Sequence, residues 1–150
     1  MINFTPIIRP YFAWRRKATE RIATPADTEA VQRRVLSWLL GNARSTHMGE
    51  RYGYRSLDTY EKYAAKEPIV DYEAIRPDVM RMLNGEAGVL WPGRCMRFAQ
   101  SSGTTGGKSK YIPVTDTSLS RNHYRGGIES VASYLAMHPN SRLFGGKSLI

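Results

Sequence analysis

Apolar residues recur along this chain at helical spacing in its first half and at strand-like spacing near its middle. Thr5-Pro6 opens a predicted helix running to about residue 22, with Ile8, Phe12 and Ile22 among its apolar positions and Arg15, Arg16 and Lys17 on the wet side. Thr24-Pro25, a cap followed by proline at the first helical position, starts a second helix. Ala30, Val31, Val35, Trp38, Leu39 and Leu40 give it an apolar face, with Gly41-Asn42 as its stop. Trp38, at this spacing, reads as core rather than as a ligand-stacking ring. Residues 44–56 read as a loop or short helical turn, and His47 there as a capping or surface residue, since no second ligand stands at metal-binding spacing. Another helix is expected from a Ser56 cap to about Lys66, ended by Glu67-Pro68. Tyr72 to Leu83 follows as a helix despite Pro77, closed by Asn84-Gly85 as a left-handed cap. Asp71 and Asp78 read as charges near its N-terminus rather than as a catalytic pair.

The period then changes. Val89 to Gly93 reads as a strand and turn, and Arg94 to Gln100 as a half-buried strand that includes Cys95. Lys110 to Thr115 is β-branched and aromatic, with Pro113 suited to an edge strand. Thr115-Asp116 caps a helix to about Met137, with Tyr124, Ile128, Val131 and Leu135 as its buried stripe. Gly126-Gly127 inside it costs about 1 kcal/mol per glycine relative to alanine, which points to close approach of another segment or a ligand. Leu143-Phe144 and Lys147 to Ile150 read as the start of a further buried strand.

Between the two central strands lies Ser101-Ser102-Gly103-Thr104-Thr105-Gly106-Gly107-Lys108-Ser109-Lys110, composed entirely of Gly, Ser, Thr and Lys. Glycine lets peptide N–H groups converge on an anion, hydroxyls add donors, and lysines add charge. Each charge-assisted hydrogen bond contributes about 1.5–3 kcal/mol, so several can hold a triphosphate. The same composition also suits a plain surface loop. A Walker A loop does not fit, because no helix follows directly and Ser102 stands where its first glycine is required. Gly146-Lys147-Ser148 fails alike, with Ser141 at that position.

The loop resembles the phosphate loop of the acyl-adenylating enzymes. The second serine, the double glycine and the Lys-x-Lys-x-Ile-Pro-Val-Thr continuation make it more similar still to the auxin-responsive Gretchen Hagen family of acyl-acid amido synthetases, with bacterial members nearest. Glu67 to Glu73, Arg81 to Gly85 and His123 to Gly127 are similar to the same family, so the likeness covers most of residues 35–150. Ser109 departs from it, standing where the family often has proline. The resemblance implies an α/β fold, the N-terminal fragment of the acyl-adenylating, firefly-luciferase-like architecture. It would be helical over 1–85, carry the strand and phosphate-loop region over 86–115, and end in a helix and the start of a strand over 116–150. Family members are several times longer, which makes this chain an expected N-terminal portion, inactive alone, without the later domains' adenine pocket, ribose carboxylate and catalytic lysine. It implies ATP and Mg²⁺ as cofactors, with a carboxylic acid and an amino acid or other amine as partners. Lys108 and Lys110 would act on the phosphates in catalysis; Ser101, Ser102, Gly103, Thr104, Thr105, Gly106, Gly107 and Lys108 would bind the nucleotide. Tyr124 and Arg125 would border the acyl substrate, against the plainer reading of a core tyrosine and a surface charge.

Composition narrows the alternatives. The 150 residues suffice for one domain with a core, and 41% hydrophobic with 23% charged residues is ordinary for a soluble globular chain. Arg9 and Pro10 break the apolar N-terminus, and no apolar run reaches membrane-span length. One cysteine, Cys95, excludes an internal disulfide and a cysteine-based zinc site, and a reducing cytoplasm is the expected location. The charge of +9, from 22 basic and 13 acidic residues, is scattered in pairs without a recognition-helix, zinc-finger or RNA-binding signature. Neither nucleic acid nor membrane is therefore expected as a partner. Two other readings stay open: a relative that passes the acyl group to a thiol such as coenzyme A, and a non-enzymatic basic module whose glycine loop contacts phosphates.

Overall fold

In a computed structural model, residues 2–20, 25–101 and 109–146 are described. The expected stop at Ile22, the Thr24 cap and the strand start at Lys147 lie outside them. Seven helical runs and two strands contain most of these residues. They are α1 (Thr5–Glu20), α2 (Pro25–Ala43), α3 (His47–Tyr52), a 3₁₀ turn (Tyr54–Ser56), α4 (Tyr60–Lys66), α5 (Tyr72–Leu83), β1 (Arg97–Gln100) and β2 (Tyr111–Val114). The last is one continuous run of α6 (Asp116–Ser118), a π-helical segment (Leu119–His123) and α7 (Tyr124–Met137). The chain divides into two compact units, Met1–Asp27 with Thr117–Ile150, and Thr28–Asp116.

The first unit is organised by α1 against α7. Phe12, Ala132 and Leu135 are buried there, flanked by Ile8, Ile128, Val131 and Phe144. The rings of Phe12 and Phe144 stack at 5.8 Å. Both main-chain groups of Phe144 are bonded back to the start of α1. Its N–H donates to the Thr5 hydroxyl (2.9 Å) and its carbonyl accepts from Phe4 N–H (3.2 Å). The Arg9 guanidinium donates to the carbonyls of Leu135 and His138, a cation placed at the C-terminal end of α7. Residues 143–146 form turns and bends rather than strand.

Of the stripe expected on the last helix, Leu135 is buried and Ile128 and Val131 half-buried, but Tyr124 is 59% exposed. Tyr124 opens α7 directly after the five-residue π segment, at the end of the stripe, where it borders an open depression rather than packed core. A Cβ at Gly126 or Gly127 would meet nothing within 4 Å among the described residues, so no described segment approaches the pair closely. Gly126→Ala is therefore expected to stabilise the fold by about 0.5–1 kcal/mol through helix propensity alone. Thermal unfolding should rise by roughly 1–4 °C, and a fall would show that something does press on this face.

The second unit has its own core of Met82, Val89 and Cys95, with Leu90 and Phe98 packed on it. Several sequence expectations are corrected here. α2 continues past Gly41-Asn42 to Ala43, where the Asn42 side-chain amide donates back to the Trp38 carbonyl instead of breaking the helix. Trp38 is half-buried and meets the Trp91 ring at 5.6 Å. Thr59, not Ser56, caps α4, its hydroxyl accepting from Lys62 N–H, while Ser56 ends the 3₁₀ turn. Residues 87–93 are bends, not a strand. Their carbonyls serve a different purpose: Gly88 and Val89 accept the N–H groups of His47 and Met48, closing the open end of α3. Cys95 is buried two residues ahead of β1, its thiol donating to the Arg97 carbonyl.

Asp71 is the N-cap of α5, accepting from Ala74 N–H at 3.1 Å, and Gly85 follows the helix with φ 88° as expected. Asp78, by contrast, sits in the body of α5 with its side chain 7% exposed, at the centre of an ionic chain. Arg51 donates to both its oxygens (2.9 and 3.3 Å) and Arg81 to one (3.2 Å). Arg81 also pairs with Glu86, which meets His47 Nε2 at 3.2 Å. Nearby, the Tyr54 hydroxyl donates to Glu67; burial and the adjacent carboxylate push that phenol well above its ordinary value.

Candidate functional site

β1 and β2 pair antiparallel in the register Arg97↔Val114, Phe98↔Pro113, Ala99↔Ile112 and Gln100↔Tyr111. The ladder continues beyond the strands. Ser101 N–H donates to the Lys110 carbonyl at 2.9 Å, and Lys110 N–H donates to the Ser101 hydroxyl at 3.1 Å. The two ends of the Gly/Ser/Thr/Lys stretch are thus held face to face. Ser102, Gly103, Thr104, Thr105, Gly106, Gly107 and Lys108 lie outside the described residues.

The alternation of the ladder explains the tolerated proline. Tyr111 turns its N–H and carbonyl away from β1, and in an antiparallel pair residues two apart face alike. Pro113 therefore also faces outward, where the missing N–H breaks no rung. On that outward side stands Tyr72, the first residue of α5. Its hydroxyl accepts Tyr111 N–H at 2.9 Å and donates to the Tyr111 carbonyl at 3.1 Å. At the opposite end of the hairpin, Arg97 donates twice to Asp116 at 2.7 and 2.8 Å, which fastens β1 to the first turn after β2.

Among the described members of the expected phosphate site, Ser101 is half-buried and Lys110 exposed, its Nζ 5.4 Å from the centre of the Tyr72 ring. The geometry brings Ser101 and Lys110 together. Tyr124 and Arg125 belong to the other unit. There Tyr124 lines an open depression of about 600 Å³ with Phe12, His123, Ile128 and Phe144, and Arg125, though exposed, does not. Another concavity, of about 560 Å³, lies between α2 and α4 and is lined by Val35, Leu36, Leu39, Tyr60 and Tyr63. Among the described residues no three His, Cys, Asp or Glu side chains gather as a metal site. Nor is any described helix long and apolar enough to cross a membrane.

Tyr72 is the contact that sequence reasoning missed. A tyrosine directly after an Asp cap reads as an ordinary helix start, and its two bonds to residue 111 span 39 positions that no local pattern records.

Comparison with known proteins gives this hairpin its context. A family model described as "GH3 family N-terminal domain" matches residues 20–150. The chain is 34% identical over 98 residues to a probable indole-3-acetic acid-amido synthetase GH3.1 of Oryza sativa subsp. japonica, covering 64% of this chain and 16% of that protein. It is 35% identical over 103 residues to the indole-3-acetic acid-amido synthetase GH3.6 of Arabidopsis thaliana (68% and 16%). With a probable indole-3-acetic acid-amido synthetase GH3.4 of Oryza sativa subsp. japonica it shares 33% over 115 residues (75% and 18%). The chain spans less than a fifth of the length of these three relatives. With the family model covering the hairpin and everything that packs on it, this chain belongs to the GH3 family.

Proposed function

We propose that this chain is the N-terminal portion of the large domain of an ATP-dependent acyl-acid amido synthetase with the luciferase-like adenylating fold, and that its hairpin grips the triphosphate. The observation that carries the reading is the register that closes Ser101 on Lys110 at the two ends of a stretch made only of Gly, Ser, Thr and Lys. The relatives' names, amido synthetases of indole-3-acetic acid, support an acid and an amine as substrates of the whole enzyme. In the proposed first half-reaction, a carboxylate oxygen attacks the α-phosphorus of ATP and pyrophosphate leaves, giving an acyl-adenylate. In the second, an amine attacks the acyl carbon, AMP leaves with the bonding pair, and the amine's proton is lost as the amide forms.

Such transfers depend chiefly on positioning and on stabilising charge where it develops. Lys108 and Lys110 would each hold phosphate oxygens, Ser101, Ser102, Thr104 and Thr105 would direct hydrogen bonds, and Gly103, Gly106 and Gly107 would let main-chain donors approach. The donor set fits polyphosphate, an anion matched by cations and hydroxyls. Mg²⁺ would arrive on the phosphate oxygens and neutralise part of their charge. Tyr124 would border the acyl group from the depression it lines, with Arg125 beside it.

The test is a titration with MgATP. Replacing Lys108 or Lys110 singly by alanine is expected to weaken binding by about tenfold, the loss of one charge-assisted contact in a partly solvated site. Unchanged affinity in both variants would remove the hairpin from nucleotide binding.

A further inference from the structure

Lys110 emerges directly from β2, and among the described residues no carboxylate lies within ion-pair range of its ammonium group. What it meets is the face of Tyr72, at 5.4 Å, inside the cation–π range of about 6 Å. The difference matters chemically. A carboxylate would fix the lysine by neutralising it, whereas an aromatic face orients the ammonium and leaves its full positive charge for an incoming anion. The same side chain also fixes the strand beneath, because its hydroxyl takes both main-chain groups of Tyr111. Tyr72 opens α5 directly behind the Asp71 cap, and Gly85 with φ 88° follows the helix's far end.

We infer that Tyr72 is a positioning residue for Lys110, setting where that charge stands at the mouth of the hairpin so that it meets the polyphosphate of a nucleoside triphosphate. The polyphosphate part rests on the function proposed above. The juxtaposition of ring, hydroxyl, strand and ammonium does not.

The two groups of Tyr72 separate in two variants of this chain, Tyr72→Phe and Tyr72→Leu, followed by NMR and by titration with MgATP. The Lys110 ε-methylene protons should be shifted upfield by the ring in the wild type and in Tyr72→Phe, and return to the random-coil position in Tyr72→Leu. The Tyr111 amide should exchange faster in both variants, since both lack the hydroxyl. MgATP should bind about threefold more weakly to Tyr72→Leu, the scale of one exposed cation–π contact. That loss should vanish when Lys110 is already alanine.

The inference is overturned if the Lys110 protons ignore Tyr72→Leu, or if that substitution weakens MgATP equally with and without Lys110. Should Tyr72→Leu fail to fold, Tyr72→Phe decides alone: unchanged Tyr111 exchange, or loss of the Lys110 shift, refutes the arrangement. If the wild-type chain binds no MgATP at all, the proposed function fails, and Tyr72's hold on Lys110 is judged by shift and exchange alone.

Discussion

Replacing Gly49 by alanine is expected to destabilise the fold by about 3 kcal/mol, the upper end of overpacking costs. A Cβ at this buried position would lie 2.0 Å from the Ala43 carbonyl oxygen and 2.9 Å from its carbon, both main-chain atoms. That carbonyl cannot step aside easily. It already accepts Thr46 N–H at 3.0 Å and the Thr46 hydroxyl at 2.8 Å, while the same hydroxyl oxygen accepts Gly49 N–H at 3.0 Å. The short connection from α2 to α3 is thus tied at a point where only hydrogen fits. Helix propensity favours alanine by about 1 kcal/mol, too little to reverse the sign. Thermal unfolding should fall by roughly 6–12 °C. The contrast with Gly126→Ala, the same change on an open helix face, isolates the steric contribution. A Gly49→Ala variant as stable as wild type would mean that α3 does not pack on the end of α2 as described.

Asp78→Ala is expected to cost about 2 kcal/mol. The carboxylate is buried and takes hydrogen bonds from two guanidinium groups, so its loss leaves Arg51 and Arg81 without a shared partner. Breaking a fully buried pair costs roughly 3–5 kcal/mol, but the side chains of Arg51 and Arg81 are 48% and 34% exposed and can recover water. Urea denaturation measures the difference, and Asp78→Asn should recover little of it, since its amide would set donor against donor. The outer end of the network makes a pH prediction. Hydrogen bonds from Arg81, with a smaller contribution from His47, hold the Glu86 carboxyl below its ordinary value. A depressed carboxyl stabilises the fold above the unfolded value near about pH 4.3, and that contribution disappears as pH falls through the folded value. Glu86→Gln should therefore flatten the acid side of the stability profile and leave the neutral region close to wild type in shape.

Much of this molecule was readable before any coordinates. The placing of Asp71 as a charge at a helix start, the left-handed Gly85, the helix through Pro77 and the strands around the glycine-rich stretch all follow from local signals, and all appear. The failures share a cause. Residues 87–93 have strand composition, but their carbonyls are recruited to the end of α3, forty positions earlier, and the chain bends to deliver them. Tyr124 keeps its place on the stripe but sits at the start of α7 beside an open depression, and spacing alone does not record where the packing partner stops. Asp78 looked like a helix-end charge because its partner Arg51 lies 27 residues away. The site followed the same rule. Ser101 and Lys110 stand out in composition, whereas the contacts of Tyr72 with Tyr111 and Lys110 do not, because they exist only once α5 meets the hairpin.

The bonds that tie Phe4, Thr5 and Arg9 to residues 135–144 carry a consequence for biosynthesis. α1 is translated well before the segment that seats it, so Phe12 stays wet while more than a hundred further residues are added. The unit formed by 28–116 is continuous in sequence and meets no such delay. During that interval the nascent chain carries a unit that can already fold together with an α1 whose apolar face is still uncovered, the part on which a holding chaperone would act.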